Sequence, residues 1–221
     1  MLERAKKSLS TIDAEYQKTL RVKIIENNLK IDIKDYFSKL RSILDYLAHD
    51  IVEKYCPTAD PKNKLYFPIR ADQASFENEM RKAYPNLIAD NKIIYDVLAS
   101  VQPFQRPENN WLLNFNKLNN ENKHEQLVAQ KRMETKRVNV QFNNGSVSWN
   151  PSAVRFGAGI SIGGVPVNPQ TQMPQTSNTQ AVTIETWVDF RFEGLDVSVL
   201  ELTRESLKQI QKIYDDIKGE I

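Results

Sequence analysis

Lys136-Arg137-Val138-Asn139-Val140-Gln141-Phe142-Asn143-Asn144-Gly145-Ser146-Val147-Ser148-Trp149 is the stretch where the apolar period of this chain changes. Val138, Val140 and Phe142 alternate with polar residues, Asn144-Gly145 signals a hairpin turn, and Val147 and Trp149 carry the alternation back. Upstream, apolar residues recur every three or four positions, as one face of a helix requires. Leu2, Ala5, Leu9, Ile12, Tyr16 and Leu20 form a first stripe. Ile33, Phe37, Leu40, Leu44, Leu47 and Ile51 form a second, within roughly 60° of one direction at 100° per residue. This second helix is expected over 32–55, after a break at Glu26-Asn27-Asn28 and before Pro57.

An exposed loop is expected over 58–64, followed by a short extended segment, Leu65-Tyr66-Phe67-Pro68-Ile69, that Pro68 keeps from being helical. Asp72 is placed to cap a third helix with Phe76 and Met80 inward. Asp90 is placed to cap a fourth with Ile93, Ile94, Val97 and Leu98 inward, ended by Gln102-Pro103-Phe104. Trp111, Leu112, Phe115 and Leu118 define a fifth. Downstream of the hairpin, 154–167 reads as extended chain with glycine bends and 168–180 as a polar loop. A strand over 182–192 places Ile184, Thr186, Val188 and Phe190 on one face and Trp187 on the other. A closing helix over 197–218 carries a stripe (Val199, Leu202, Leu207, Ile210, Ile213) too apolar to stand alone. The expected class is therefore α+β: a helical bundle over 1–130, an antiparallel sheet over 131–196, and a helix over 197–221 packing back on the bundle as one interlocked unit.

Composition narrows the function only slightly. The net charge of +2, from 30 basic and 28 acidic residues, advertises neither nucleic acid nor a membrane. One cysteine, Cys56, and two histidines leave no disulfide framework and no structural zinc set, and no metal or cofactor is expected. The lone thiol, a charged amphipathic N-terminus and the lack of any apolar run of about 20 residues lead to a cytoplasmic expectation with no membrane partner. No GxSxG, phosphate-binding glycine loop, HExxH or CxxC word is present.

Histidine exchanges protons near neutral pH, so His49 and His124 are the natural candidates for proton transfer. Arg41, Asp45 and His49 stand at i, i+4 and i+8 and form a ladder on one flank of the second helix. In the catalytic reading Asp45 orients His49, and Arg41 pairs with Asp45 or holds a phosphate. In the plainer reading they are the solvated charges of a helix flank. The second cluster surrounds His124. Asn120, Asn122 and Lys123 can bind substrate there, or simply finish a helix whose dipole Lys and His complement. Lys131, Arg132, Lys136 and Arg137 add a basic patch that can grip phosphates or guard a strand edge.

Four words in fixed order, Leu40-Arg41-Ser42-Ile43-Leu44-Asp45-Tyr46-Leu47-Ala48, Tyr66-Phe67-Pro68-Ile69, Gln102-Pro103-Phe104 and Leu118-Asn119-Asn120-Glu121-Asn122-Lys123-His124, resemble the pattern of an uncharacterised bacterial family. Its corresponding words read approximately LRSALDHLA, FPI, QPY and LNxxDKH. That family in turn is similar to the HEPN group of helical bundles. Many HEPN proteins are metal-independent ribonucleases or inactive partners of nucleotidyltransferases, with an Arg and a His four to six residues apart acting at a dimer interface. In this chain seven residues separate Arg41 from His49. The resemblance implies a protein that acts on RNA or senses a nucleotide, with a homodimer as a further partner. In its catalytic form His49 or His124 takes the ribose 2′-hydroxyl proton while Arg41 and Lys123 stabilise the scissile phosphate. The rival expectation is a non-catalytic interaction or dimerisation module.

Overall fold

The long helix α2 (Asn27–Tyr55) is the axis of the helical unit, because nearly every third or fourth residue along it is an apolar side chain with a neighbour to meet. Leu29, Ile33, Phe37, Leu40, Leu44, Leu47 and Ile51 are all buried along its length. In this computed structural model residues 1–22, 26–124, 130–195 and 197–221 are described, with the backbone alone at 21, 22, 122–124 and 187. The chain divides into a helical unit, Met1–Lys131 with Arg191–Ile221, and a β unit, Arg132–Phe190.

In the helical unit α1 (Leu2–Val22) and the closing helix α7 (Val199–Lys218) pack on α2 and on each other. The helix α6 (Asn110–His124) packs on both α2 and α7. The closing helix thus returns to the bundle, as its apolar stripe requires. Tyr36 donates its hydroxyl hydrogen to the Thr203 carbonyl at 3.1 Å, and burial pushes its phenol well above the usual range. Phe37 meets Phe115 and Phe192 at ring-centroid distances of 5.9 and 6.0 Å. Ser198 caps α7 by accepting from the Glu201 N–H. Among the described residues no helix is long and apolar enough to cross a membrane.

The remaining helices are short: α3 (Gln73–Ala83), α4 (Leu87–Asp90) and α5 (Lys92–Ser100). Asp72 caps α3 as expected, its side chain accepting from the Ser75 N–H at 2.8 Å. At α5 the cap is Asn91, which accepts from the Ile94 N–H, whereas Asp90 ends α4. Ile93, expected inward, is 57% exposed, since Ile94 and Leu98 already fill the single buried face of a nine-residue helix. The helix α2 begins five residues earlier than the periodicity indicates. Glu26 is extended, and Asn27 and Asn28 open the helix instead of interrupting it.

In the β unit β1 (Gln130–Phe142) lies between β2 (Gly145–Trp149) and β6 (Gln180–Phe192). The hairpin register sets Val138 against Trp149 and Phe142 against Gly145, so the turn is Asn143-Asn144, one residue before the expected place. A small second sheet joins β3 (Ser161–Ile162), β4 (Val165–Asn168) and β5 (Met173–Pro174), the last inside the stretch expected to be a loop. Val138, Val140 and Trp149 form the core with Phe142, Phe156, Ile162 and Met173 around them. Gly163 has φ +53, and a Cβ there would stand 2.8 Å from Phe142 Cγ, so glycine is required on both counts. The last residues of β6, Arg191 and Phe192, belong to the helical unit and pair with β7 (Val197–Ser198).

The strand β1 starts at Gln130, six residues before the change of period. Its residues 133–137 are exposed on both faces, and so are 181–186 of β6. In β1 this exposed segment, Met133-Glu134-Thr135-Lys136-Arg137, buries neither face and carries no alternation for a sequence reading to detect. In β6 the alternation is present, yet Ile184 is 52% exposed while Phe190, on the same face of the strand, is buried.

Truncating the centre of the aromatic cluster measures how much the bundle depends on it. Phe37→Ala is expected to lower stability by about 4 kcal/mol, read as a reduced urea midpoint at unchanged slope.

Candidate functional site

Asp45 and Arg41 sit one helical turn apart on α2 and meet as an ion pair, Arg41 Nη2 to Asp45 Oδ1 at 3.1 Å and Nε to Oδ2 at 3.2 Å. Neither head group ends there. Asp45 Oδ1 accepts the Phe67 N–H at 3.0 Å, and Arg41 Nη2 donates to the Phe67 carbonyl at 3.4 Å. Arg41 Nη1 donates to Asn116 Oδ1 on α6 at 3.1 Å, and its guanidinium lies 5.8 Å from the centre of the Tyr66 ring. The pair therefore grips both sides of one peptide-linked residue in the extended segment and ties it to a second helix.

That segment has no strand beside it among the described residues, yet Phe67, Pro68 and Ile69 are buried. Buried backbone polar groups need partners, and here side chains supply them. Tyr84 donates its hydroxyl hydrogen to the Tyr66 carbonyl at 2.8 Å. Burial raises the Tyr84 phenol well above its ordinary value, so it remains a donor. Gln102, with no exposed surface, donates to the Pro68 carbonyl at 2.9 Å and accepts from the Arg70 N–H at 3.0 Å. Arg70 donates to the Ile69 carbonyl at 2.9 Å. All four carbonyls from Tyr66 to Ile69 are thereby satisfied. Three of the four sequence words meet at this point, and their polar residues serve a backbone that no sheet supports.

His49, next on the ladder, is exposed and makes no hydrogen bond among the described residues. Both oxygens of Asp45 are engaged by Arg41 and Phe67, so the carboxylate does not orient this imidazole. On α6, Asn119 is buried and donates to the Phe115 carbonyl at 2.8 Å, while Asn120 is exposed. The helix runs to His124, but the side chains of Asn122, Lys123 and His124 lie outside the described residues, as does that of Trp187. Of the basic patch, Arg132 pairs with Glu134 on its own strand.

The sequence reading missed the cavity beside His49. The last two turns of α2, the loop over 57–65 and the end of α3 enclose about 410 Å³ there. The loop expected to be plain exposed connection is one of its walls. Cys56 contributes to the lining, is only 2% exposed, and has its thiol pushed up to about 11, chiefly by burial and secondarily by the Asp90 carboxylate. A thiol so protonated is a poor nucleophile and acts as an apolar surface. Among the described residues no three His, Cys, Asp or Glu side chains cluster to hold a metal ion.

Comparison with protein-family models, with curated proteins and with solved structures finds no match to this chain.

Two expectations follow. Asp45→Ala strands a guanidinium and the Phe67 N–H, and should cost about 3 kcal/mol of unfolding free energy, whereas His49→Ala stays within about 0.5 kcal/mol of the parent in the same denaturation experiment. Iodoacetamide at pH 8 should modify Cys56 slowly in the native protein and quickly in urea, as intact-mass spectra would show.

Proposed function

We propose that this chain is a non-catalytic interaction module that pairs with a second copy of itself along the outer edge of β6. Two observations weigh against acid–base chemistry at the α2 ladder. Arg41 and Asp45 have their hydrogen-bonding groups directed at Phe67 and Asn116, and His49 has no orienting carboxylate.

The observation that carries the interaction reading is the open edge itself. The strand β7 meets β6 only at Arg191 and Phe192, so among the described residues 180–188 carries no second strand on the side away from β1. On its other side β1 is joined by β2 only from Val138 to Phe142. Much of the unit is thus a two-stranded ribbon with both faces in water, an arrangement that is marginal by itself. Residues 180–190 contain no proline, two acidic residues and no basic one, and they are rich in β-branched side chains. Natural edges are usually guarded by lysine, proline or a bulge. An unguarded edge of this length is a template for another strand.

A second copy fits this edge well. Antiparallel self-pairing centred on Ile184 sets Val182 against Thr186 and Thr183 against Glu185, so no like charges face each other. The exposed Val182 and Ile184 would then form one apolar strip across the two-fold axis.

Sedimentation velocity over about 1 to 200 µM protein is expected to show a monomer–dimer equilibrium. Val182→Lys with Ile184→Lys should abolish it while leaving the far-UV spectrum of the helical unit intact. A chain that stays monomeric over that range, or a dimer indifferent to both lysines, overturns the proposal. Cleavage of mixed RNA in EDTA that disappears with His49→Ala and His124→Ala would replace it with the ribonuclease reading.

A further inference from the structure

The cavity at the end of α2 differs from the other large hollows of the helical unit in what its charges do. Between α1, α2 and α7 a cavity of about 480 Å³ has Asp50 paired with Lys218 at 2.6 Å and Glu3 paired with Lys6 at 2.8 Å. The groove beside Trp111, about 500 Å³, holds an Arg204 already bound to Asp13 at 3.0 Å. In the 410 Å³ cavity, by contrast, Glu53 on α2 and Lys82 on α3 line the same space without meeting each other or any other described charged group. Two opposite charges left without partners at one hollow are available to a ligand that carries both signs.

The rest of the lining is largely apolar. Val52 and the protonated Cys56 come from α2, and Pro57 and Leu65 from the loop that returns along it. Asp60 also lines the cavity, with one carboxylate oxygen accepting the Lys62 N–H at 2.9 Å. A volume at the small end of ligand sites, an apolar floor and a few separated polar groups together specify a small amphipathic molecule.

We propose that this cavity binds a small zwitterion with an apolar side chain, of the α-amino acid class. Its ammonium group is received by Glu53, its carboxylate by Lys82, and its side chain lies against Val52, Cys56 and Leu65. His49, which lines the cavity and makes no side-chain hydrogen bond among the described residues, is a second partner for the carboxylate. A purely anionic ligand would leave Glu53 repelling it, and a purely cationic one would meet Lys82. The inference does not depend on dimerisation through β6.

The test is calorimetric titration of the 221-residue chain with L-leucine, with isovalerate, which lacks the amine, and with 3-methylbutylamine, which lacks the carboxylate. Leucine is expected to bind with a Kd below about 1 mM, and each half-molecule about tenfold or more weaker. Glu53→Gln should weaken leucine about tenfold without weakening isovalerate, and Lys82→Met should weaken leucine without weakening the amine. Both side chains are exposed, and unchanged melting temperatures verify that the variants fold. No saturable binding of leucine up to about 10 mM, isovalerate binding as tightly as leucine, or indifference to both substitutions overturns the proposal.

Discussion

The grip of Arg41 and Asp45 on Phe67 is the contact on which the helical unit's arrangement depends. An extended segment buried without a sheet faces a severe desolvation cost, because each backbone group that loses water must find another partner. Arg41, Asp45, Tyr84 and Gln102 come from different parts of the chain and converge to meet that requirement. Arg41 also reaches Asn116, so the same ion pair holds α2, the extended segment and α6 in one relation. An ion pair shielded in this way contributes little net stability compared with an apolar replacement, but losing one member is costly. Its structural value is that it admits one geometry.

The cavity follows from the same constraint. About ten residues of helix, rising roughly 15 Å, separate Asp45 from the end of α2. Since Phe67 must return to Asp45, the loop over 57–65 has to run back along the helix it has just left. Its prolines and short polar residues do not pack closely against α2, and a hollow remains between them. Glu53 and Lys82 reach the hollow from two separate helices, α2 and α3. Space, apolar lining and unpaired charge thus share one origin in the chain's path.

Most of the helical architecture was legible in the residues, because burial on one face writes itself as a repeat of three and four. The stripe of α2 and the closing stripe of α7 both read correctly for that reason. Boundaries were less legible where polar residues do local work. Asn91 rather than Asp90 caps α5, since either side chain can accept the bond and only the backbone path chooses. The first half of β1 was invisible because it buries neither face. At the candidate site, spacing showed that Arg41 and Asp45 would meet, and it showed nothing of Phe67, which lies 22 positions beyond Asp45. Nor did any pattern signal the cavity beside His49, since its walls are close in space and unremarkable in order.

The side-chain scaffold around the extended segment has an evolutionary corollary. A strand in a sheet can slip or lengthen and find equivalent partners, because every neighbouring peptide offers the same groups. Here each carbonyl from Tyr66 to Ile69 answers to a particular side chain. Insertions and deletions within 58–64 should therefore leave the bundle intact and act on the cavity that this loop walls. Between Tyr66 and Arg70 the register leaves no room for drift, and any lineage that keeps this bundle must keep that spacing.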